Sequence, residues 1–230
     1  NSKMMEKSIL ILLVLLMISQ LVWAQASLME ELEEKIEPDD SSYPAFKAMR
    51  IGNLQSTKVA AKGDLYLYVS HRFGTLKDGG ATFFGLDNAI TKIQLVYGVF
   101  KNAQIGFSRE SLRRTFAGHF KIKLIGQTNK IPFNVTGYTT VNYNSQLDKE
   151  RFPVLKEADR LSYATQLLIS RRISPILSLE IAPGFVRQNL VLEPFQQHEQ
   201  YVLGMGGRFK LSNRWSLNAD YIANFSRAAQ

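Results

Sequence analysis

The sequence predicts an all-β protein, an antiparallel up-and-down transmembrane β-barrel with a short N-terminal helix. Three observations support this fold class: repeated alternation of apolar and polar residues, a regular order of short and long connections, and aromatic residues near segment ends. The clearest segment is 63–74, where Leu65 and Leu67 fall on one face and Tyr66 and Tyr68 on the other. Such a strand has one apolar and one polar face.

Eight further segments repeat this alternation, so we expect about nine strands in this chain. Bacterial single-chain barrels have an even number of strands. We therefore expect the sequence to be truncated at its C-terminus, with about 10–14 strands in the complete protein. The eight further segments are 90–100, 103–112, 115–126, 131–143, 161–172, 176–189, 200–211 and 215–225.

The connections between these segments indicate where the protein lies. Every connection of even order is a short turn, and the long connections 75–89, 144–160 and 190–199 all have odd order. Outer-membrane barrels have short periplasmic turns and longer outer loops, whereas a soluble sandwich gives no reason for such sorting. We therefore expect a protein of the cell outer membrane, in contact with the lipid bilayer. The alternative is a soluble periplasmic ligand-binding β-barrel.

Aromatic residues are predicted to form two girdles on the outward face. Tyr and Trp favour membrane interfaces because one end of the ring is apolar and the other is polar. Phe73, Phe116, Tyr143, Tyr163, Phe185 and Tyr201 fall near the long connections, and Tyr97, Phe133, Phe209 and Trp215 fall near the short turns.

The N-terminal region carries a targeting signal and a segment of opposite charge to the rest of the chain. Lys3 and Lys7 precede an apolar run that ends near Ala24, as in a cleaved secretory signal peptide. Ser27 and Glu30 have the spacing of a helix capping box. The predicted organisation is a signal peptide over 1–24, an acidic amphipathic helix and linker over 25–50, and a β-barrel domain over 51–230.

Charge divides the predicted mature chain into two parts. Residues 25–40 contain seven acidic residues and one basic residue, whereas residues from 41 onward contain 25 Lys and Arg against 12 Asp and Glu. Opposite charges attract, so the acidic segment could dock on or into the basic barrel. A solvated tether is an equally good interpretation of the same composition.

Polar and charged residues on the predicted inner faces are the candidate ligand-contacting residues. They could pair across a narrow barrel and plug it, or line a porin-like passage or pocket that prefers anions, because basic side chains attract anions. We favour the interpretation in which these residues pair across the barrel and plug it. The lumen-lining candidates are Lys92, Gln94, Glu110, His119, Lys121, Lys123, Glu180, Arg208, Lys210 and Asp220.

The sequence gives no support for catalysis, a cofactor or a metal site. Its three histidines lack metal-ligand spacing, and the absence of cysteine excludes disulfides and thiolate sites. Ser70 and His71 are adjacent on a strand and point to opposite faces, so they form no catalytic pair directly. The glycine cluster 204–207 opens no helix and is better explained by close packing than by phosphate binding. We expect no enzymatic activity and no nucleic-acid partner.

Several fragments together resemble a family of Bacteroidota outer-membrane β-barrel proteins, a domain of unknown function. The resemblance runs from about Arg50 to Tyr221 and implies secretion and a barrel with strands beyond Gln230. It supplies no catalytic or ligand-binding residues. Passage or binding of a small solute, or a structural or partner-docking role, is therefore the functional expectation. The fragments are Ser70-His-Arg-Phe-Gly74, Phe84-Gly-Leu-Asp-Asn-Ala89, Phe116-Ala-Gly-His-Phe-Lys-Ile-Lys-Leu124 and the run Leu203 to Tyr221.

Overall fold

The structure, a computed structural model, describes residues 43–75, 77, 79–147, 150, 153–191 and 197–226. The predicted signal peptide and the predicted acidic helix therefore lie outside the described residues. Within the described ranges, no helix is long and apolar enough to cross a membrane.

Nine antiparallel strands form one sheet in the order of the chain, so the all-β, up-and-down prediction is confirmed for these nine strands. Over the part of the chain that the structure describes, β1 and β9 do not pair with each other, and barrel closure stays a prediction. The strands are β1 (Leu65–Arg72), β2 (Ile90–Phe100), β3 (Ala103–Glu110), β4 (Thr115–Ile125), β5 (Asn134–Asn144), β6 (Leu161–Arg172), β7 (Leu177–Gln188), β8 (Glu199–Lys210) and β9 (Ser216–Asn224).

The connections lie at two opposite ends of the sheet. The strand ends joined by 101–102, 126–133, 173–176 and 211–215 lie at the short-turn end, and the strand ends joined by the other four connections lie at the long-loop end. The short 3-10 helices found among the described residues all lie at the long-loop end: Gly79–Thr82, Leu86–Asn88, Leu112–Arg114 and Glu157–Arg160.

Most strand ends lie within one to three residues of the sequence prediction, and two of the differences have a clear structural cause. β5 begins at Asn134 rather than at 131, because Pro132 has no N–H to donate to a ladder and Thr128 N closes a turn onto Ile131 O at 2.8 Å. β3 ends at Glu110, because a turn with Arg113 at φ 51° follows it. Neither difference changes which residues share a face.

The outward face of the sheet is mostly apolar, and each of the nine strands exposes at least one large apolar side chain on it. Ile181, near the middle of β7, is 50% exposed although it has strands on both sides. Outward threonines satisfy their hydroxyl groups locally, since the hydroxyls of Thr139 and Thr165 are 3.1 Å apart. Other exposed outward residues are Leu65, Leu67, Ile93, Leu95, Ile105, Phe107, Phe120, Leu179, Met205, Phe209, Leu217 and Tyr221.

Candidate functional site

A stretch of irregular chain, residues 43–61, lies against the inner face of the sheet and is called the inner segment. It begins at the short-turn end, where Tyr43 N donates a hydrogen bond to Gln127 O at 2.7 Å. It reverses at Gly52 and Asn53, residue types that favour tight turns. Its buried residues are Ala45, Phe46, Met49, Leu54, Ser56, Thr57 and Ala60.

Apolar contacts fix the inner segment at two places on the sheet. In the first, Tyr66 and Tyr68 pack against Met49, Ala60 and Val96. Inward tyrosines are unusual on the polar face of a membrane strand, and these contacts explain them. In the second cluster, Ile51 and Tyr138 pack against Leu54, Leu168 and Ala182.

Glycines of β8 make room for the tip of the inner segment. A Cβ atom at Gly204 would lie 2.5 Å from Leu54 Cδ1, and one at Gly206 would lie 2.5 Å from Ile51 Cδ1. Real Cβ atoms essentially never approach so closely. The glycine cluster thus serves close packing between strand and inner segment.

The substitution Gly98→Val tests this close contact at the other end of the inner segment. A Cβ atom at Gly98 would overlap the carbonyl of Ala61, so we expect a loss of about 1–3 kcal/mol in unfolding free energy. Gly118→Val is the matched control, because Gly118 faces outward and a Cβ there meets nothing within 4 Å. Urea unfolding in detergent measures the free energy of unfolding of both variants. Equal losses would contradict the close contact.

Lys121 is the central charged contact of the inner segment. Its side chain is 0% exposed, and its Nζ donates to the carbonyl oxygens of Met49, Ser56 and Lys58 at 3.2, 3.1 and 3.3 Å. Nζ also lies 5.9 Å from the ring centre of Tyr138. One strand cation therefore satisfies three backbone acceptors of a segment that has no ladder of its own.

Glu180 binds the same part of the inner segment from β7. It is 2% exposed, and its Oε2 accepts a hydrogen bond from Thr57 N at 3.0 Å. The Thr57 hydroxyl lies 2.5 Å from that of Ser170, and the Thr136 hydroxyl donates to Thr57 O at 3.0 Å. Thr57 is thus held through its backbone and its side chain by three strands.

Two further side chains of the sheet bind backbone amides of the inner segment. Asp220 accepts from Asn53 N at 3.2 and 3.1 Å and from Leu54 N at 2.9 Å. Gln104 Oε1 accepts from Ala60 N at 2.7 Å. The sheet therefore supplies the partners that irregular backbone needs when it is removed from water.

Arg50 extends the polar network toward the long-loop end. Its Nη2 donates to Gln94 Oε1, and the Gln94 amide lies 3.4 and 3.3 Å from the two ring nitrogens of His119. Burial lowers the pKa of Arg50 from its usual value. Burial, and after it the positive charge of Lys47, lowers the pKa of Lys58.

The structure brings the ten lumen-lining candidates to the inner face but not into a single cluster. Gln94, His119, Lys121 and Glu180 are buried, and Asp220 binds the tip of the inner segment. Lys92 and Glu110 form an ion pair at 3.7 Å toward the long-loop end. The remaining three, Lys123, Arg208 and Lys210, line cavities at the short-turn end.

The sequence pattern did not predict the inner segment as the partner of these residues. Its contacts with Lys121, Glu180, Asp220 and Gln104 come from backbone atoms, which give no pattern in the sequence. The signals that could have indicated it are the inward tyrosines of β1 and β5 and the small residues of β8. In the ranges that the structure describes, no group of three or more His, Cys, Asp or Glu could hold a metal ion.

A family model described as "Membrane bound beta barrel domain (DUF5777)" matches residues 46–230 of the chain. The chain belongs to the DUF5777 family. The DUF5777 match includes all nine strands and begins at Phe46, so the inner segment from that residue onward is part of the family domain. The match also supports a membrane location. Comparisons with curated proteins and with solved structures gave no match.

Proposed function

We propose that this DUF5777 member is an outer-membrane barrel that is closed by its inner segment and binds a small solute at one end. The observation that carries the proposal is the burial of Lys121 against three carbonyl oxygens of the inner segment. A segment whose backbone partners come from the sheet fills space that a conducting pore would keep open. Binding at a mouth of the barrel is then favoured over free passage.

We further propose export through a cleaved signal peptide to the outer membrane of a Gram-negative bacterium, in line with the resemblance to Bacteroidota proteins. The sorted connections and the exposed outward face support this location. We also propose a non-enzymatic role. Its partners are the lipid bilayer and a small solute, and no nucleic acid takes part.

Fractionation distinguishes the membrane proposal from the alternative of a soluble periplasmic ligand-binding barrel. We expect the protein in the outer-membrane fraction, extractable only with detergent, with different migration of boiled and unboiled samples on a gel. Recovery in the soluble periplasm without detergent would contradict the membrane proposal.

The absence of cysteine from the sequence allows a direct test of the closed state. Ser56 is 0% exposed and Lys62 is exposed, so we expect a maleimide to label Lys62→Cys rapidly and Ser56→Cys slowly in the folded protein. Both variants are compared with the same proteins unfolded in urea. Equal labelling rates in the folded state would contradict a resident inner segment.

Planar-bilayer recording tests the same proposal by a different observable. A barrel filled by its inner segment is expected to show no stable conductance steps. Stable steps in the unmodified protein, together with rapid labelling of Ser56→Cys, would instead support a porin-like passage.

A further inference from the structure

A row of hydrogen-bond donors crosses four strands at the short-turn end of the inner face. In the sheet register, Arg172 of β6 is opposite Ser178 of β7, Ser178 is opposite Arg208 of β8, and Arg208 is opposite Asn218 of β9. Neighbouring strands lie about 4.8 Å apart, so the backbone positions that carry these side chains are close together. Lys210 follows two residues after Arg208 on the same face.

Two cavities lie along this row. One of about 110 Å³ is lined by Lys47, Arg172, Ser178, Arg208 and Lys210, together with apolar residues of the inner segment and of the β6–β7 turn. A second of about 90 Å³ shares Lys47 and Arg208 and adds Asn218. Lys47 and Arg208 therefore border both cavities, and a ligand that enters either one meets these two basic residues.

Acidic groups do not neutralise this row within the described part of the chain. No carboxylate lines either cavity there, and Arg172, Arg208 and Lys210 form no ion pair. Among the described residues, the inward acids of β7 and β9 are engaged elsewhere: Glu180 accepts from Thr57 N, and Asp220 accepts from two amides at the tip of the inner segment.

The position of Arg172 is fixed independently of any ligand. Gln127 Nε2 donates to Arg172 O at 3.0 Å, and Arg172 N donates to Gln127 Oε1 at 2.8 Å. These two bonds join the β4–β5 turn to the end of β6. The backbone that presents the guanidinium is thus preorganised, which lowers the entropy lost when a ligand binds.

We propose that this row and its cavities form a binding site for the phosphate group of a small water-soluble molecule. Guanidinium groups match the geometry of phosphate oxygens, and lysine, hydroxyl and amide groups supply further donors. The cavities are smaller than the roughly 300–1,000 Å³ of sites for drug-sized ligands, so they fit one anionic group with the rest of the molecule outside. The row belongs to the inner face, which favours a solute over a lipid headgroup.

This inference deepens the proposed solute-binding role by naming the ligand class, and its test is separate from conductance. The full-length protein, purified in detergent at low salt, is titrated calorimetrically with inorganic phosphate and with glucose 6-phosphate. We expect saturable binding of both, no binding of glucose, and weakening at high salt because the attraction is between charges. Absence of saturable binding of either phosphate would overturn the site, whatever the conductance shows.

Matched arginine variants test the assignment of residues. Arg208→Gln is expected to weaken phosphate binding about tenfold or more, because a charge-assisted hydrogen bond is lost. Arg171→Gln removes the same charge from an exposed position that points away from the inner face, and it should leave binding unchanged. Equal weakening by both variants would overturn the site in favour of general charge attraction.

Two controls complete the test. Lys210→Gln gives a second inner-face variant in case Arg208→Gln does not fold, and gel migration of unboiled samples reports folding of each. Protein in nanodiscs of phosphatidylcholine is compared with protein in nanodiscs containing phosphatidylglycerol. Unchanged phosphate affinity is expected for a solute site, whereas competition by the anionic lipid would overturn it in favour of a headgroup site.

Discussion

Lys121→Met is expected to lower the free energy of unfolding by roughly 3–5 kcal/mol, the range seen when one partner of a buried charged contact is removed. Methionine preserves most of the side-chain volume but has no N–H to donate. The carbonyl oxygens of Met49, Ser56 and Lys58 would lose a shared donor while remaining shielded from water. Urea unfolding in detergent, followed by tryptophan fluorescence, measures the change.

Lys123→Met is the matched control for this substitution. Lys123 lies two residues further along the same strand, on the same inner face, but is only partly buried. We expect its replacement to cost about 1 kcal/mol or less. Similar losses for both variants would show that net charge, rather than the three carbonyl contacts, determines the effect.

A second consequence of Lys121→Met concerns the inner segment itself. If Lys121 holds the segment on the sheet, labelling of Ser56→Cys should become faster in the Lys121→Met background while the strands remain folded. Unchanged labelling would mean that Glu180, Asp220 and the apolar contacts hold the segment without Lys121.

Ile181→Arg is expected to destabilise the protein by about 2–4 kcal/mol in lipid, because it places a charge near the bilayer midplane. Ile181 is 50% exposed on the outward face of β7, between Ile169 of β6 and Met205 of β8. Exposure to lipid rather than to water makes the substitution costly. Folding titrations in phospholipid vesicles, read by the migration of unboiled samples, give the free-energy change.

Leu211→Arg is the matched control for depth in the membrane, because it introduces the same side chain as Ile181→Arg just after the end of a strand. Leu211 is 64% exposed beside the β8–β9 turn, where Arg should cost about 0–1 kcal/mol in a membrane. In a soluble barrel both positions would face water, and both substitutions would change stability by about 0.5 kcal/mol or less. Two small effects would therefore favour the soluble periplasmic alternative.

Strand positions and faces could be read from the sequence because they depend on local alternation. The bounds of β2 and β6 match the predicted 90–100 and 161–172, since two-residue periodicity along most of each segment indicates both the strand and its faces. β5 was predicted to start too early because apolar residues around Pro132 continued the pattern into a turn. In that case the missing N–H of proline outweighed hydrophobic periodicity.

The sequence by itself determined that this chain forms a series of antiparallel strands with an apolar outward face. Only the tertiary structure decided what covers the inner face. Lys121 and Glu180 are ionisable residues that the sequence placed correctly on inward positions, yet their partners are backbone atoms of the inner segment, more than 60 residues away in each case. Backbone carbonyls and amides are the same in every residue except proline, so no side-chain pattern encodes contacts of this kind.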